Sequence, residues 1–293
     1  NKTDIPKFWN DDIFADSYNF SESIPAFSLH DSIQKRETLP LELSRGCRFK
    51  CKFCSYPLLG RNPRSTKYIR SEYSIAKELE SNYNNFETTN YIITCDTFNE
   101  TTEKLLTFKR SIDSVGIKIN FASFLRLDII NAHREQIDIL KEIGLASGIF
   151  GIESLNDKAA KAVGKGLGRD NVINILNILR QTWGNQIRTS SNFISGLPHE
   201  TKETLDEWIG FLCTNEVKLH FRRIIPLFIP GPRSPGFHSE FTREHKKYGY
   251  ELTDMGWQNE NLTCTQAKEI TEYWNPILEE TNEIAGFNFM SLR

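Results

Sequence analysis

Between residues 39 and 229, short apolar runs alternate with amphipathic segments of helical length. This alternation constrains the fold more than any single residue, because strands separated by a helix-long crossover pair in parallel and bury both faces of their sheet. Strands are expected at about 39–45, NYIITCDT (90–97), KINFASFLRLD (118–128), LASGIFGIES (145–154), QIRTSSNFISGLP (186–198) and KLHFRRIIPLFI (218–229). Helices are expected at about 72–85, over TTEKLLTFKRSIDSVG with Gly116 at its C-cap, over HREQIDILKEIG, around 157–164 and 170–182, and over TKETLDEWIGFLCTN. The pattern describes an α/β chain of six β-α units.

At 293 residues, a single barrel-like domain with flanking segments is the expected organisation. Residues 1–37 form an irregular arm, polar and aromatic-rich, with Phe8, Trp9, Phe14, Tyr18 and Phe20 as its anchors. The core is expected over 38–230. A C-terminal extension, 231–293, follows the Pro/Gly-rich loop IPGPRSPG and carries an amphipathic helix around TCTQAKEITEYWNPILEE. No run reaches the roughly eighteen apolar residues of a spanning helix, and NKTDIPKFWNDD lacks an apolar signal core, so a cytoplasmic protein is expected. The first residue is Asn1 and not a methionine, so an upstream region processed or left out stays open. A net charge of −2 gives no global pull toward nucleic acid. Arg61, Arg64, Lys67 and Arg70 form a local basic run, readable either as an anion site or as a solvated loop.

The first strand runs into LSRGCRFKCKFCSYPLLG, which spaces Cys47, Cys51 and Cys54 as CxxxCxxC. Half of the six cysteines thus fall within eight consecutive residues. Thiolates clustered this closely in a reducing compartment indicate a metal or an iron-sulfur cluster before a disulfide. Three readings stay open. A structural zinc site or an electron-transfer cluster needs a fourth ligand, and Cys95, Cys213, Cys264 and His30 are all distant in sequence. A four-iron cluster held by three thiolates leaves one iron open for another molecule. Sites in such sheets lie where the strands end. That rule selects Thr94 to Thr97, Arg126 and Asp128, Glu153 and Ser154, Ser195 to Glu200, and Arg222 to Pro230.

The stretch CRFKCKFC, heading the first β-α unit, resembles the signature of the radical S-adenosylmethionine (radical SAM) superfamily. The resemblance covers about residues 38–230 and implies a partial (β/α)6 TIM-like barrel. It further implies a [4Fe-4S] cluster on Cys47, Cys51 and Cys54, whose open iron chelates the amino and carboxylate groups of S-adenosylmethionine. One electron, from a reductant such as flavodoxin or ferredoxin, then cleaves the cofactor to methionine and a 5′-deoxyadenosyl radical that takes hydrogen from the substrate.

Phe53 matches the family's aromatic residue before the third cysteine, near the adenine. Asp96, at the end of the second strand, fits the cofactor's ammonium, and it fits a helix N-cap as well. Arg126 suits the cofactor carboxylate or an ion pair with Asp128. Glu153 in GIES resembles the carboxylate that bonds the ribose or the substrate. NFISGLPHE resembles the adenine segment GxIxGxxE, with Ile194 and Gly196 matching, Asn192 in place of the first glycine, and the acid at Glu200. Cys95 as a hydrogen donor and His199 as a proton relay complete the catalytic candidates, each with a structural alternative.

LPLELSRGC, DTFN and GIESLNDKAAKAVGKG together resemble the cobalamin-binding class, which relates by pattern to methylthiotransferases. With a cobalamin domain upstream, methyl transfer is implied. Without one, hydrogen abstraction alone is implied. No second cysteine set precedes Cys47, which speaks against a methylthiotransferase. A non-catalytic iron-sulfur or zinc protein is the reading from another class.

Overall fold

The computed structural model describes residues 20–54, 68–230 and 239–284. Among these residues six strands form one parallel sheet in chain order: β1 (Leu39–Leu41), β2 (Asn90–Ile93), β3 (Asn120–Leu125), β4 (Leu145–Glu153), β5 (Arg188–Ser195) and β6 (Phe221–Pro226). Strands that neighbour in sequence also neighbour in space, and helices cross between them. This is the α/β architecture of a partial TIM-like barrel, with β1 and β6 as its edges.

The crossover helices are α1 (Glu72–Phe86), α2 (Thr102–Val115), α3 (Leu127–Ala132), α4 (Gln136–Glu142), α5 (Asp157–Ala162), α6 (Arg169–Trp183) and α7 (Lys202–Leu212). Their starts follow from local chemistry. Ser71, Thr101, Asn156 and Thr201 each accept backbone N–H groups of the first turn that follows. Gly116 ends α2 in the left-handed region, as its position after Val115 requires. The core contains Phe98, Phe108 and Phe121, edge-to-face with centroids 5.2–5.7 Å apart.

Two expectations are corrected. The third strand does not run through Asp128: it stops at Leu125, and Arg126 is the N-cap of α3. Asn99 causes the exit, its Oδ1 accepting the Arg126 N–H at 2.8 Å and its Nδ2 donating to the Arg126 carbonyl at 3.0 Å. The first strand likewise stops at Leu41, and Ser44 instead bridges Ile69 in antiparallel sense. The tail also holds a short helix, α8 (Glu240–Glu244), and an antiparallel hairpin, β7 (Glu251–Thr253) with β8 (Gly256–Gln258), besides the expected helix α9 (Cys264–Thr281).

Helix α9 closes the edge of the sheet. Asn275 accepts the Ile224 N–H at 3.0 Å and donates to the Ile224 carbonyl at 3.0 Å. Just beyond the helix, Asn282 does the same for Arg222, at 2.9 and 3.1 Å. Two amides thus replace a seventh strand, satisfying backbone groups that would otherwise template a foreign one. Of the arm's expected anchors, Phe20 is buried with the Arg45 guanidinium 4.8 Å above its ring, while Phe8, Trp9, Phe14 and Tyr18 lie outside the described residues. Among the described residues no helix is long and apolar enough to cross a membrane.

Gly144, between α4 and β4, has φ +96°, and a Cβ there would lie 2.0 Å from the Ile119 carbonyl oxygen. Gly116 has φ +73° but open space around it. Gly144→Ala is therefore expected to lower the unfolding free energy by about 3 kcal/mol or more, and Gly116→Ala by only about 1 kcal/mol. Urea titrations of both variants check this, and equal losses would contradict the packing argument.

Candidate active site

The cysteine loop leaves β1 and is fixed from three sides. On the first side, the Arg45 N–H donates to Tyr68 O at 3.0 Å, the Arg70 N–H donates to Leu43 O at 2.9 Å, and Gly46 turns the chain at φ +81°. Beneath the loop lies a buried lysine. Lys104 Nζ donates to Ser44 Oγ at 2.5 Å, Thr97 O at 3.0 Å and Glu100 Oε1 at 3.0 Å, so all three ammonium protons have acceptors. Tyr68 donates to the other Glu100 oxygen at 3.3 Å, and burial, then the Glu100 charge, pushes its phenol up to about 12.

The other two sides come from distant segments. Lys52 N donates to Val163 O at 3.2 Å, and Gly164 packs beside the Cys51 backbone, where a Cβ would lie 3.7 Å from Cys51 Cα. From the tail, Phe241 N donates to Lys52 O at 3.1 Å and Glu240 pairs with Lys52 Nζ at 2.8 Å. Hydrogen bonds from Lys52 and then Tyr248 hold the Glu240 carboxyl down to about 2.

Cys47, Cys51 and Cys54 line one cavity of about 240 Å³ at the C-terminal ends of β2, β3 and β4. None of the six cysteines forms a disulfide. Cys47 Sγ lies 3.4 Å from Thr97 Oγ1, and Cys51 Sγ accepts from Arg126 Nη1 at 3.3 Å. Among the described residues no three His, Cys, Asp or Glu side chains are already drawn together as a ligand set. Three soft donors lining one cavity fit an iron-sulfur cluster with an open iron better than a closed zinc site, which needs four.

Phe53, Cys95, Asp96, Arg126 and Glu153 line the same cavity. Arg126 takes the ion-pair alternative: its Nε and Nη2 donate to the two Asp128 oxygens at 3.0 and 2.7 Å, and its guanidinium stacks 4.0 Å from the Phe49 ring centre. Glu153 is held at φ +69°, a strained conformation for a residue with a side chain. Burial pushes its carboxyl up, against the pull of Lys165, whose Nζ lies 3.3 Å away. Cys95 is buried, and its sulfur accepts the Leu43 N–H at 3.3 Å, the structural alternative open for that thiol.

The remaining candidates lie elsewhere. His199 is exposed, at φ +69°, and does not line the cavity. Ile194 is buried in the core, and Gly196 faces the hairpin, where a Cβ would sit 2.4 Å from the Trp257 ring. Neither lines the cysteine cavity. Arg70 is buried in an ion pair with Glu78 and bonds the Ser74 and Glu42 carbonyls, so it belongs neither to an anion site nor to a solvated loop. Arg61, Arg64 and Lys67 lie outside the described residues, as does the loop beyond Pro230. Arg222 is spent on the Leu212 and Thr281 carbonyls at 2.6 Å.

Sequence reasoning assigned no role to Lys165 or Lys104, while Thr97 fell within the strand-end stretch it selected. Lys165 had a faint signal, a lysine between Gly164 and Gly166 just after α5, but its pairing with Glu153 depends on the fold.

The family model described as the radical SAM superfamily matches residues 41–212, more than half of the chain. An uncharacterized methyltransferase from Pyrococcus horikoshii is 27% identical over 169 residues, 57% of this chain and 35% of that protein. The ribosomal protein uS12 methylthiotransferase RimO of Chlorobaculum parvum is 24% identical over 179 residues, 59% of this chain and 39% of that protein. The chain therefore spans well under half the length of these two relatives. The radical S-adenosylmethionine methyltransferase TsrM from Kitasatospora setae superposes with a TM-score of 0.57 at 16% identity, covering 75% of this chain and 43% of that one, a likeness of fold.

Glu200 closes the β5–α7 turn. It accepts from Ser154 Oγ at 2.8 Å and from the Gly196 and Leu197 N–H groups at 3.0 Å. Full burial outweighs these donors and pushes its carboxyl up to about 7. Between the unfolded value near 4.5 and this one, the folded state binds the extra proton. The contribution of this group to stability is therefore fully present below about pH 4.5 and is lost as the pH rises through about 7, roughly 3 kcal/mol in all. Glu200→Gln is expected to flatten that segment of the stability–pH profile measured by urea unfolding. An unchanged slope would contradict the assignment.

Proposed function

The chain belongs to the radical SAM superfamily, enzymes that use a [4Fe-4S] cluster and S-adenosylmethionine, and from that premise we propose that Cys47, Cys51 and Cys54 are its cluster ligands. When bound, the cluster and its cofactor supply reductive cleavage to a 5′-deoxyadenosyl radical, which takes hydrogen from the substrate. The observation that carries this reading is the set of three cysteines lining one cavity at the strand ends, joined by no disulfide.

The surrounding residues prepare that cavity. Arg126, locked by Asp128 and Phe49, puts positive charge against the Cys51 sulfur and suits it as an anionic ligand. Its guanidinium is thus committed to the protein, leaving the cofactor's carboxylate to other partners. Asp96 is the acceptor for the cofactor's ammonium. Glu153 and Lys165 form a charged floor fit for hydroxyl groups, with Lys165 Nζ also donating to Gly151 O at 3.0 Å. Phe53 offers the apolar surface for the adenine. The electron comes from a flavodoxin or ferredoxin in a reducing, cytoplasmic setting.

The similarity to a methyltransferase and to a methylthiotransferase favours a second reading, transfer of a methyl or methylthio group, with cobalamin as the carrier in the methyl case.

Anaerobic reconstitution tests the first reading. About four irons per chain and dithionite-dependent 5′-deoxyadenosine are expected, and Cys51→Ala is expected to lose most of the iron. A four-iron protein that binds S-adenosylmethionine without cleaving it, or a Cys51→Ala protein with full iron content, contradicts it. Label from methyl-tritiated cofactor appearing in a product other than methionine would select the second reading.

A further inference from the structure

A second cavity, of about 620 Å³, adjoins the cysteine cavity through the shared side chains of Phe124 and Ile149. Sheet register builds its wall. Phe124, Ile149, Ser190 and Phe221 stand opposite one another in a row across β3 to β6. The next row, toward the strand ends, is Gly151, Asn192 and Arg223. One face of the sheet thus offers apolar side chains beside a polar strip, and the volume lies within the range of small-molecule sites.

Three observations point to a ligand. Ser190 is only 2% exposed, lines the cavity, and its hydroxyl has no hydrogen-bond partner among the described residues. A buried hydroxyl left unpaired costs free energy that a bound acceptor or donor would recover. The Arg223 side chain, in contrast to that of its neighbour Arg222, makes no hydrogen bond or ion pair among the described residues. Glu279 lines the same cavity yet lies beyond ion-pair distance of Arg223, so the guanidinium is not neutralised from within. A guanidinium with open donors beside an apolar wall suits the planar carboxylate of an organic acid.

We infer that this cavity is the substrate subsite, and that it takes a small organic acid whose carboxylate meets Arg223 while its apolar body lies on Phe124, Ile149 and Phe221. Ser190 and Asn192 supply the neutral hydrogen bonds. The shared wall brings the substrate's body next to the cysteine cavity, where hydrogen would be abstracted. This inference rests on the radical reading for the chemistry, but the binding itself does not require a cluster.

The test is fluorine NMR on the full chain with four probes: 4-fluorophenylacetate, 4-fluorobenzylamine, 4-fluorobenzyl alcohol and 4-fluorophenyl phosphate. The acetate is expected to bind at least about tenfold more tightly than the amine or the alcohol. Arg223→Ala should remove that preference, Arg223→Lys should retain part of it, and Ser190→Ala should weaken the acetate by about threefold or more. Equal binding of charged and neutral probes, a preference for the phosphate over the acetate, or an acetate preference that survives Arg223→Ala overturns the proposal. Dithionite-dependent 5′-deoxyadenosine formation by the reconstituted unsubstituted chain, run in parallel without any probe, reports separately on the radical reading.

Discussion

The ammonium of Lys104 is the contact on which the site's architecture depends. It joins the cysteine loop at Ser44, the turn after β2 at Thr97, and the start of the following helix at Glu100. A buried lysine is costly unless every proton is accepted and its charge is balanced, and here both conditions are met. Because Thr97 Oγ1 also lies against Cys47, the same cation fixes the ligand loop and the residue that touches its first sulfur. The tail completes the clamp through Glu240 and Lys52, so the segment after β6 is part of the site's frame.

Parallel order, helix starts and the three-cysteine loop were legible because each has a local cause. Apolar alternation marks strands, a Ser or Thr before an amphipathic run marks a helix start, and three thiols at short spacing mark a candidate metal or cluster site. What escaped was set by contacts between distant residues. Asn99 diverts the chain at Arg126, and nothing near Arg126 in sequence announces it. Lys165 meets Glu153 only because the loop after α5 folds back over β4. Gly196 and Glu200 match a family segment in sequence, yet their groups are used in the turn and against Trp257 and Tyr250.

The edge of the sheet illustrates a second economy. By pairing the outer backbone groups of β6 with Asn275 and Asn282, α9 and its C-terminal end protect an edge strand without adding another one. The inner face of the same strand keeps Arg223 open toward the second cavity. One strand therefore has its edge closed by amides while its Arg223 side chain lines a cavity that Asn275 and Asn282 also border.

The central claim is that three thiols, with no fourth protein ligand, hold a cluster with one open iron. Electron-nuclear double resonance on the reduced, reconstituted protein tests it directly, using S-adenosylmethionine labelled with 15N at the amino group and 17O at the carboxylate. Hyperfine coupling from both labels is the predicted result, because only an iron lacking a protein ligand can chelate both groups. A four-iron spectrum with no coupling from either label would contradict the account.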